Sequence, residues 1–257
     1  MKNKQSYFLL FIFLLLSGCA IVEDFKVVHQ VSGPIGTNCY LIYGTKSKEA
    51  ALIDPAWQVD TLINFIEKND LKLKYIFITH GHIDHFYYVP EIKKLFPDAK
   101  VCMNKDEYRD IFTAMEWITE NYGKKWIDDA MSNPDTKKYM EFDMNTLGEP
   151  DIFVGDNQMF RLGNVEIHTL LSPGHSSGGI CYYTGNILFS GDVLFYRSVG
   201  TTFAQNGSKE AQIKSVRKLY EIFPDSTIVY PGHGQFTNIG SEKTENRYIT
   251  VDKDNMK

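Results

Sequence analysis

Three apolar runs in this 257-residue chain stop in the same way, each on a glycine followed at once by a side chain able to ligate a metal. Residues 165–171 lead to Pro173, Gly174 and His175, residues 187–190 to Gly191 and Asp192, and residues 227–230 to Pro231, Gly232 and His233. A fourth run, 75–78, opens directly onto Thr79, His80, Gly81, His82, Ile83, Asp84 and His85, four ligand-type side chains within six residues. This repetition limits the fold strongly. One short segment cannot complete a metal's coordination shell, so the remaining ligands must arrive from strand ends that meet it. Glycine frees the backbone to leave a strand sharply, and Gly81 is expected to let the side chains on either side of it converge.

Taken singly, His175 or His233 reads as an ordinary loop histidine and Asp192 as a helix cap. Together they do not, because five of the chain's seven histidines fall in the pattern. The other two, His29 and His168, lie inside strand-like runs and read as structural. Imidazole mixed with carboxylate suits zinc, iron or manganese, whereas calcium would call for mostly oxygen donors.

The rest of the chain reads as one α/β domain. Stretches at 26–31, 38–43 and 50–53 predict a meander of strands, and helical patterns at 59–68 and 89–96 alternate with strands at 75–78 and 99–103. Over about 105–147 the composition shifts to Tyr, Trp, Met, Lys and Asp, predicting a helical insertion with Phe112, Met115, Trp117 and Trp126 as its buried face. Strands at 165–171, 180–183, 187–190 and 227–230 and a helix near 209–223 follow. No repeat, low-complexity tract or Pro/Gly-rich linker marks a second domain, so two stacked sheets covered by helices is the simplest outcome. A 43% hydrophobic content can fill such a core, and 27 basic against 32 acidic residues leave no broad cationic field, so nucleic acid is not expected as a partner.

Lys2 and Lys4 precede an apolar run at 7–16 that is followed by Ser17, Gly18 and Cys19. Ten residues fall short of the ~20 needed to cross hydrocarbon, so the segment reads as an export signal. Leu16, Ser17, Gly18 and Cys19 resemble the bacterial lipobox. That resemblance implies a signal peptide at 1–18, a lipidated Cys19 at the head of a mature domain at 19–257, and an exported lipoprotein held on a membrane, facing the periplasm or the cell exterior. Cys39, Cys102 and Cys181 remain, an odd number at wide spacing, which excludes a complete disulfide framework and leaves them as small buried hydrophobes.

In their order along the chain the motifs resemble the metallo-β-lactamase superfamily, and within it the glyoxalase II-like hydrolases, over nearly all of the sequence after Cys19. Supporting pieces are Gly-Thr-Asn-Cys-Tyr-Leu-Ile at 36–42, Leu-Ile-Asp-Pro at 52–55, Ser-Gly-Asp-Val-Leu-Phe at 190–195 and Gly-His-Gly at 232–234. The resemblance implies a four-layer αββα sandwich and a site for two divalent ions, zinc foremost and iron or manganese as alternatives. His80, His82 and His175 would hold one ion, Asp84, His85 and His233 the other, and Asp192 would bridge them. It further implies that a hydroxide shared by the ions, with Asp84 beside it in the catalytic set, attacks the carbonyl of a small acyl substrate, a thioester, ester or lactone, as in a hydroxyacylglutathione hydrolase.

The chain departs from the family pattern in several places. Asp192 stands where true β-lactamases carry another residue type, often Cys or Ser. Phe86, Tyr87 and Tyr88 replace small residues after His85 and are expected to narrow or reshape the pocket, and Thr201 stands near where the branch carries an arginine. Only 24 residues follow His233, so the helical glutathione-binding domain of the long hydrolases is not expected. No substrate-binding residue is identified. Competing expectations are a mononuclear iron sulfur dioxygenase of the same superfamily, a β-lactam hydrolase, and a non-catalytic surface module for binding.

Overall fold

The strands at 37–44, 49–53, 72–77 and 100–103 carry apolar side chains on both faces, and the reason is that both faces are covered. A computed structural model describes residues 24–253; the segment read as an export signal, with Cys19, lies outside the described residues. Along the chain run β1 (Phe25–Ser32), β2 (Thr37–Gly44), β3 (Glu49–Ile53), α1 (Asp60–Lys68), β4 (Lys72–Phe77), α2 (Ile83–Phe86), α3 (Val89–Leu95) and β5 (Lys100–Met103). An all-helical stretch follows, α4 (Lys105–Asn121), α5 (Gly123–Ser132), α6 (Pro134–Met140) and a 3-10 turn at Met144–Leu147. The second half holds β6 (Ile152–Phe153), β7 (Met159–Leu162), β8 (Val165–Leu171), β9 (Ile180–Thr184), β10 (Ile187–Gly191), β11 (Leu194–Phe195), β12 (Ser198–Val199), α7 (Lys209–Ile222), β13 (Ile228–Pro231), β14 (Thr237–Asn238) and α8 (Ile239–Glu245).

These strands form two mixed six-stranded sheets, β1-β2-β3-β4-β5-β6 and β14-β13-β10-β9-β8-β7, with β11 and β12 as a small ribbon. Alternation along each strand sends successive side chains to opposite sides. In β2, Cys39 and Leu41 face outward onto α1 and α3, where they join Leu62, Ile66, Val89 and Ile92, while Tyr40 and Ile42 face the other sheet. In β10, Phe189 points between the sheets and Leu188 outward onto Val216, Leu219 and Ile239 of α7 and α8. Three apolar clusters therefore fill three interfaces, helix on sheet, sheet on sheet and sheet on helix, which is the four-layer αββα sandwich expected from the sequence. Cys39, Cys102 and Cys181 are buried free thiols distributed over these clusters.

The helices form where caps and apolar spacing agree. In α7, Ser208 accepts from the Ala211 amide at 3.3 Å, and Gln212, Ser215, Val216, Leu219 and Tyr220 make a single buried stripe. In α4, the Asn104 side chain caps the Asp106 amide at 2.8 Å. Beyond its first two turns, however, α4 leaves the sheet: only Glu107 and Ile111 are buried, and α5 buries nothing. The expectation that Phe112, Met115, Trp117 and Trp126 form a buried face is corrected accordingly. Phe112 is 47% and Trp126 41% exposed, because this part of the insertion packs on itself and on Phe203, 59% exposed, rather than on a sheet. Among the described residues no helix is long and apolar enough to cross a membrane.

Candidate metal centre

The backbone ties the exit of β4 to the start of β9, the exit of β10 to that of β13, and the exit of β13 to β2. The Ile180 amide donates to the Thr79 carbonyl at 2.8 Å, the Gly232 amide to Gly191 at 2.8 Å, and the Asn38 amide to Gly232 at 2.7 Å. Gly191 is the glycine whose backbone angle matters, with φ of +49° and room for a Cβ only 2.7 Å from Thr79 Oγ1. Gly81 is needed for space instead of for its turn, since a Cβ there would stand 3.0 Å from Glu107 Oε2 and 3.1 Å from Ile111 Cγ2. A Cβ on Gly232 would collide with Asp192 Oδ1.

All seven side chains expected at the site meet. His80 Nε2 and His175 Nε2 each lie 3.0 Å from His82 Nδ1, forming one group of three. His85 Nε2 and His233 Nε2 are 3.3 Å apart, and Asp84 Oδ2 lies 3.4 Å from the first and 3.3 Å from the second, forming another. Asp192 stands between the groups, Oδ1 3.6 Å from His85 Nε2 and Oδ2 3.5 Å from His175 Nε2 and 3.6 Å from His233 Nε2.

These separations test whether the residues suit a metal ion. Bonds of about 2.0–2.1 Å in a tetrahedral shell put neighbouring donors roughly 3.3–3.4 Å apart, and the contacts here bracket that edge. Asp192 Oδ1 is buried with no hydrogen-bond partner among the described residues, an arrangement that costs free energy unless a cation takes the lone pair. Ligand atoms of His80, His82 and His175, of Asp84, His85 and His233, and of His80, His85 and Asp192 each lie close enough to share an ion.

The nitrogen opposite the donor is fixed in three of the histidines. His175 Nδ1 donates to the Thr201 carbonyl at 2.6 Å, and His85 Nδ1 to Asp54 Oδ2 at 2.9 Å. Thr79 Oγ1 gives its proton to Asp54 Oδ2 at 2.8 Å and so accepts from His80 Nδ1 at 3.0 Å. Each bond holds a proton on Nδ1 and points Nε2 inward, so that Nε2 is the atom a metal would take, in place of a proton where the ring is charged. Asp84 is oriented by Thr37 Oγ1, which donates to Oδ2 at 2.7 Å.

Electrostatics divide the two groups. Burial, reinforced by the neighbouring imidazoles, holds His80 well below the usual histidine range and His82 at about 3, and burial takes His175 to about 4 against the pull of the Thr201 carbonyl. Burial works the same way on His85, but Asp84, Asp54 and Asp192 outweigh it and raise the ring to about 10; His233 is likewise raised, by its bond to Asp84 and the Asp192 charge. Burial alone would raise Asp84, yet His85 and His233 bring it far below the ordinary carboxylate value, whereas for Asp192 burial prevails and the carboxyl is raised. One group is thus three neutral imidazoles and the other a charged acid-base cluster.

Several departures read from sequence fall elsewhere than expected. Phe86 is fully buried in the outer apolar cluster with its ring 6.0 Å from Phe142, so it does not narrow the site. Tyr87 stacks on Trp57 at 4.6 Å, and both line a cavity of about 680 Å³ that contains none of the seven ligand-type residues. Thr201 serves the site through its carbonyl, and the Arg197 guanidinium donates to Glu242 at 2.9 Å and Glu245 at 2.5 Å. His29 is structural at one remove, bonding Asn38 Oδ1 at 2.9 Å while Asn38 Nδ2 holds the Pro231 and Gly234 carbonyls around His233. His168 is half-buried against Tyr183. The sequence alone assigns no role to Asp54, Thr37, Thr201 or Glu107; the signals at Asp54 are an acid closing the apolar run 50–53 and its place in the Leu-Ile-Asp-Pro piece at 52–55.

Comparison with known proteins identifies the family. The model of the metallo-beta-lactamase superfamily matches residues 32–233. Hydroxyacylglutathione hydrolase GloC of Haemophilus influenzae is 30% identical over 82% of this chain and 92% of its own. Among solved structures, the BLEG-1 B3 metallo-beta-lactamase superposes with a TM-score of 0.68 at 28% identity, covering 86% of this chain and 98% of that one. TTHA1623 in a di-iron-bound form gives 0.65 at 25% identity over 86% and 98%.

Proposed function

The chain belongs to the metallo-β-lactamase superfamily, and from that premise we propose that it is a dinuclear metal-dependent hydrolase of small acyl compounds, thioesters, esters or lactones. The observation that carries the proposal is the convergence of seven ligand-type side chains from four strand exits into two groups with metal-like donor spacing, joined by Asp192. His80, His82 and His175 would hold one divalent ion, and Asp84, His85 and His233 the other. Two such ions, when bound, make water acidic enough to act as a nucleophile near neutral pH and supply positive charge against a developing oxyanion.

The protein's own part is to hold donors at fixed separation and in the right protonation state. Asp54 and the Thr201 carbonyl fix tautomers, and Thr37 aims Asp84. The 30% identical relative named for hydroxyacylglutathione hydrolysis supports a thioester. With Arg197 engaged by two glutamates, its guanidinium is committed to the fold and not to a glutathione carboxylate.

The test is a panel of thioesters, lactones and β-lactams run on purified protein whose metal content is measured in the same sample. Hydrolysis should vanish on chelation and return with zinc or manganese. Full activity in metal-free protein would exclude the mechanism, and one equivalent of iron with no hydrolysis would favour oxidation of a sulfur substrate.

A further inference from the structure

We infer that Glu107, on the first turn of the helical insertion, is a positioning residue that sets the His80, His82 and His175 group for its ion, an inference that rests on reading that group as metal ligands. Glu107 is 2% exposed. Its Oε2 accepts from the Gly81 amide at 2.6 Å and its Oε1 from the Gly178 amide at 2.5 Å. Gly81 lies between His80 and His82, and Gly178 lies three residues after His175, so one carboxylate bridges the two loops that supply all three imidazoles.

The surroundings are shaped for this bridge. A Cβ on Gly81 would sit 3.0 Å from Oε2, and a Cβ on Gly178 would sit 3.3 Å from Glu107 Cγ. Glycine at both positions is what lets the amides reach the carboxylate. The helix is itself pinned: Asn104 caps it and donates to the Val154 carbonyl at 2.9 Å, and Asp110, one turn on, accepts from Ser177 Oγ and Asn206 Nδ2, each at 2.7 Å. Burying a carboxylate costs several kcal/mol unless strong donors compensate. Helix packing alone would be served by an aliphatic residue like Ile111 next on the same face. The second group has its own supports, Asp54 on His85 and Thr37 on Asp84, and the hydrogen bonds of the Glu107 carboxylate go to neither.

The experiment is Glu107→Gln, which keeps the shape but turns one acceptor into an NH2 facing an N–H. Binding is followed by zinc titration against a competing chelator, with imidazole 15N shifts reporting which histidines are engaged. Affinity at His80, His82 and His175 should fall roughly 10–100-fold, the usual effect of losing a partner outside the ligand set. Affinity at Asp84, His85 and His233 should stay within about threefold, with far-UV circular dichroism unchanged. Equal weakening of both groups, or of neither, would overturn the inference. Wild-type protein that binds no zinc would instead remove the metal reading on which it rests. Should the variant not fold, hydrogen exchange on metal-free wild type decides: the Gly81 and Gly178 amides should be protected, and exchange at open-loop rates would overturn the assignment.

Discussion

Replacing Asp54 with Asn removes one charge and no bulk, at a residue that touches no expected ligand atom facing the ions. Asp54 has φ of +50°, a conformation Asn tolerates better than most residues, so the backbone should not resist the change. Oδ1 would still accept from the Thr79 amide, 2.8 Å away. The new NH2 in place of Oδ2 would face two groups that now donate to it, Thr79 Oγ1 at 2.8 Å and His85 Nδ1 at 2.9 Å. The threonine hydroxyl can rotate; the imidazole N–H cannot. His85 escapes the donor–donor contact only by moving its proton to Nε2, the atom 3.3 Å from His233 Nε2 and 3.4 Å from Asp84, where an ion would need a free lone pair. Loss of the charge-assisted bond should cost metal-free protein about 1.5–3 kcal/mol, a fall in Tm of roughly 3–12 °C for a domain of this size. Affinity for the ion at Asp84, His85 and His233 should drop about 10–100-fold, and by less at the three-histidine group, where the change reaches only His80 and only through Thr79 Oγ1. Thermal unfolding in chelator and zinc titration against a competing dye read the two effects. An Asp54→Asn variant that binds both ions as tightly as wild type would refute the tautomer argument.

Asp192→Ala should leave fewer than two bound metal equivalents by elemental analysis, because the one carboxylate that reaches both groups is gone; two equivalents at wild-type affinity would show it is not a bridge. The metal-free protein should be most stable near pH 6.5 and melt earlier on either side. Burial lowers His80, His82 and His175 below 6.5, so the unfolded chain binds more protons and stability falls as pH drops through that value. His85, raised to about 10 by its carboxylates, contributes stability that is whole below 6.5 and lost as pH climbs to about 10. A melting temperature that keeps rising from pH 7 to 10 would contradict this. Membrane attachment through Cys19 is proposed from the lipobox-like residues; Cys19→Ser should release the protein from the membrane fraction with turnover unchanged, and retention would refute the anchor.

The ligand-type residues were legible in the sequence because they stand at breaks in pattern, where an apolar run gives way to side chains unsuited to a strand, in three of four places just after a glycine. The layers were legible for a related reason: strands covered on both faces lack polar alternation, and 38–43 and 50–53 have none. Short elements escaped. β6, β11, β12 and β14 hold two residues each, too few to show a period, and α2 consists of Ile83, Asp84, His85 and Phe86, which reads as ligands and not as a turn of helix. The supports were illegible for a different reason. Asp54 is 31 positions from His85, Thr37 is 47 from Asp84, and Glu107 is 71 from Gly178, and an acid or hydroxyl at such distance carries no local mark of its partner.

The insertion shows how far composition can mislead about what a segment does. Its Tyr-, Trp- and Met-rich content suggested helices laid over the core by their aromatic faces. The contact with the site is instead polar and comes from the first turns, where Glu107 takes up the Gly81 and Gly178 amides and Asp110 the Ser177 hydroxyl, on the loops bearing His80, His82 and His175. The aromatic residues lie farther out, where Trp117, Tyr122 and Phe203 pack edge to face within 5.8 Å of one another, the first two half-buried and Phe203 exposed. Phe203 is two residues beyond Thr201, whose carbonyl holds His175. Two residues of backbone thus separate that outer cluster from the carbonyl that holds His175. The first turns of α4 are fastened to both loops of that histidine group, so the insertion can alter its outer half without releasing the site only while the Glu107 bridge is kept.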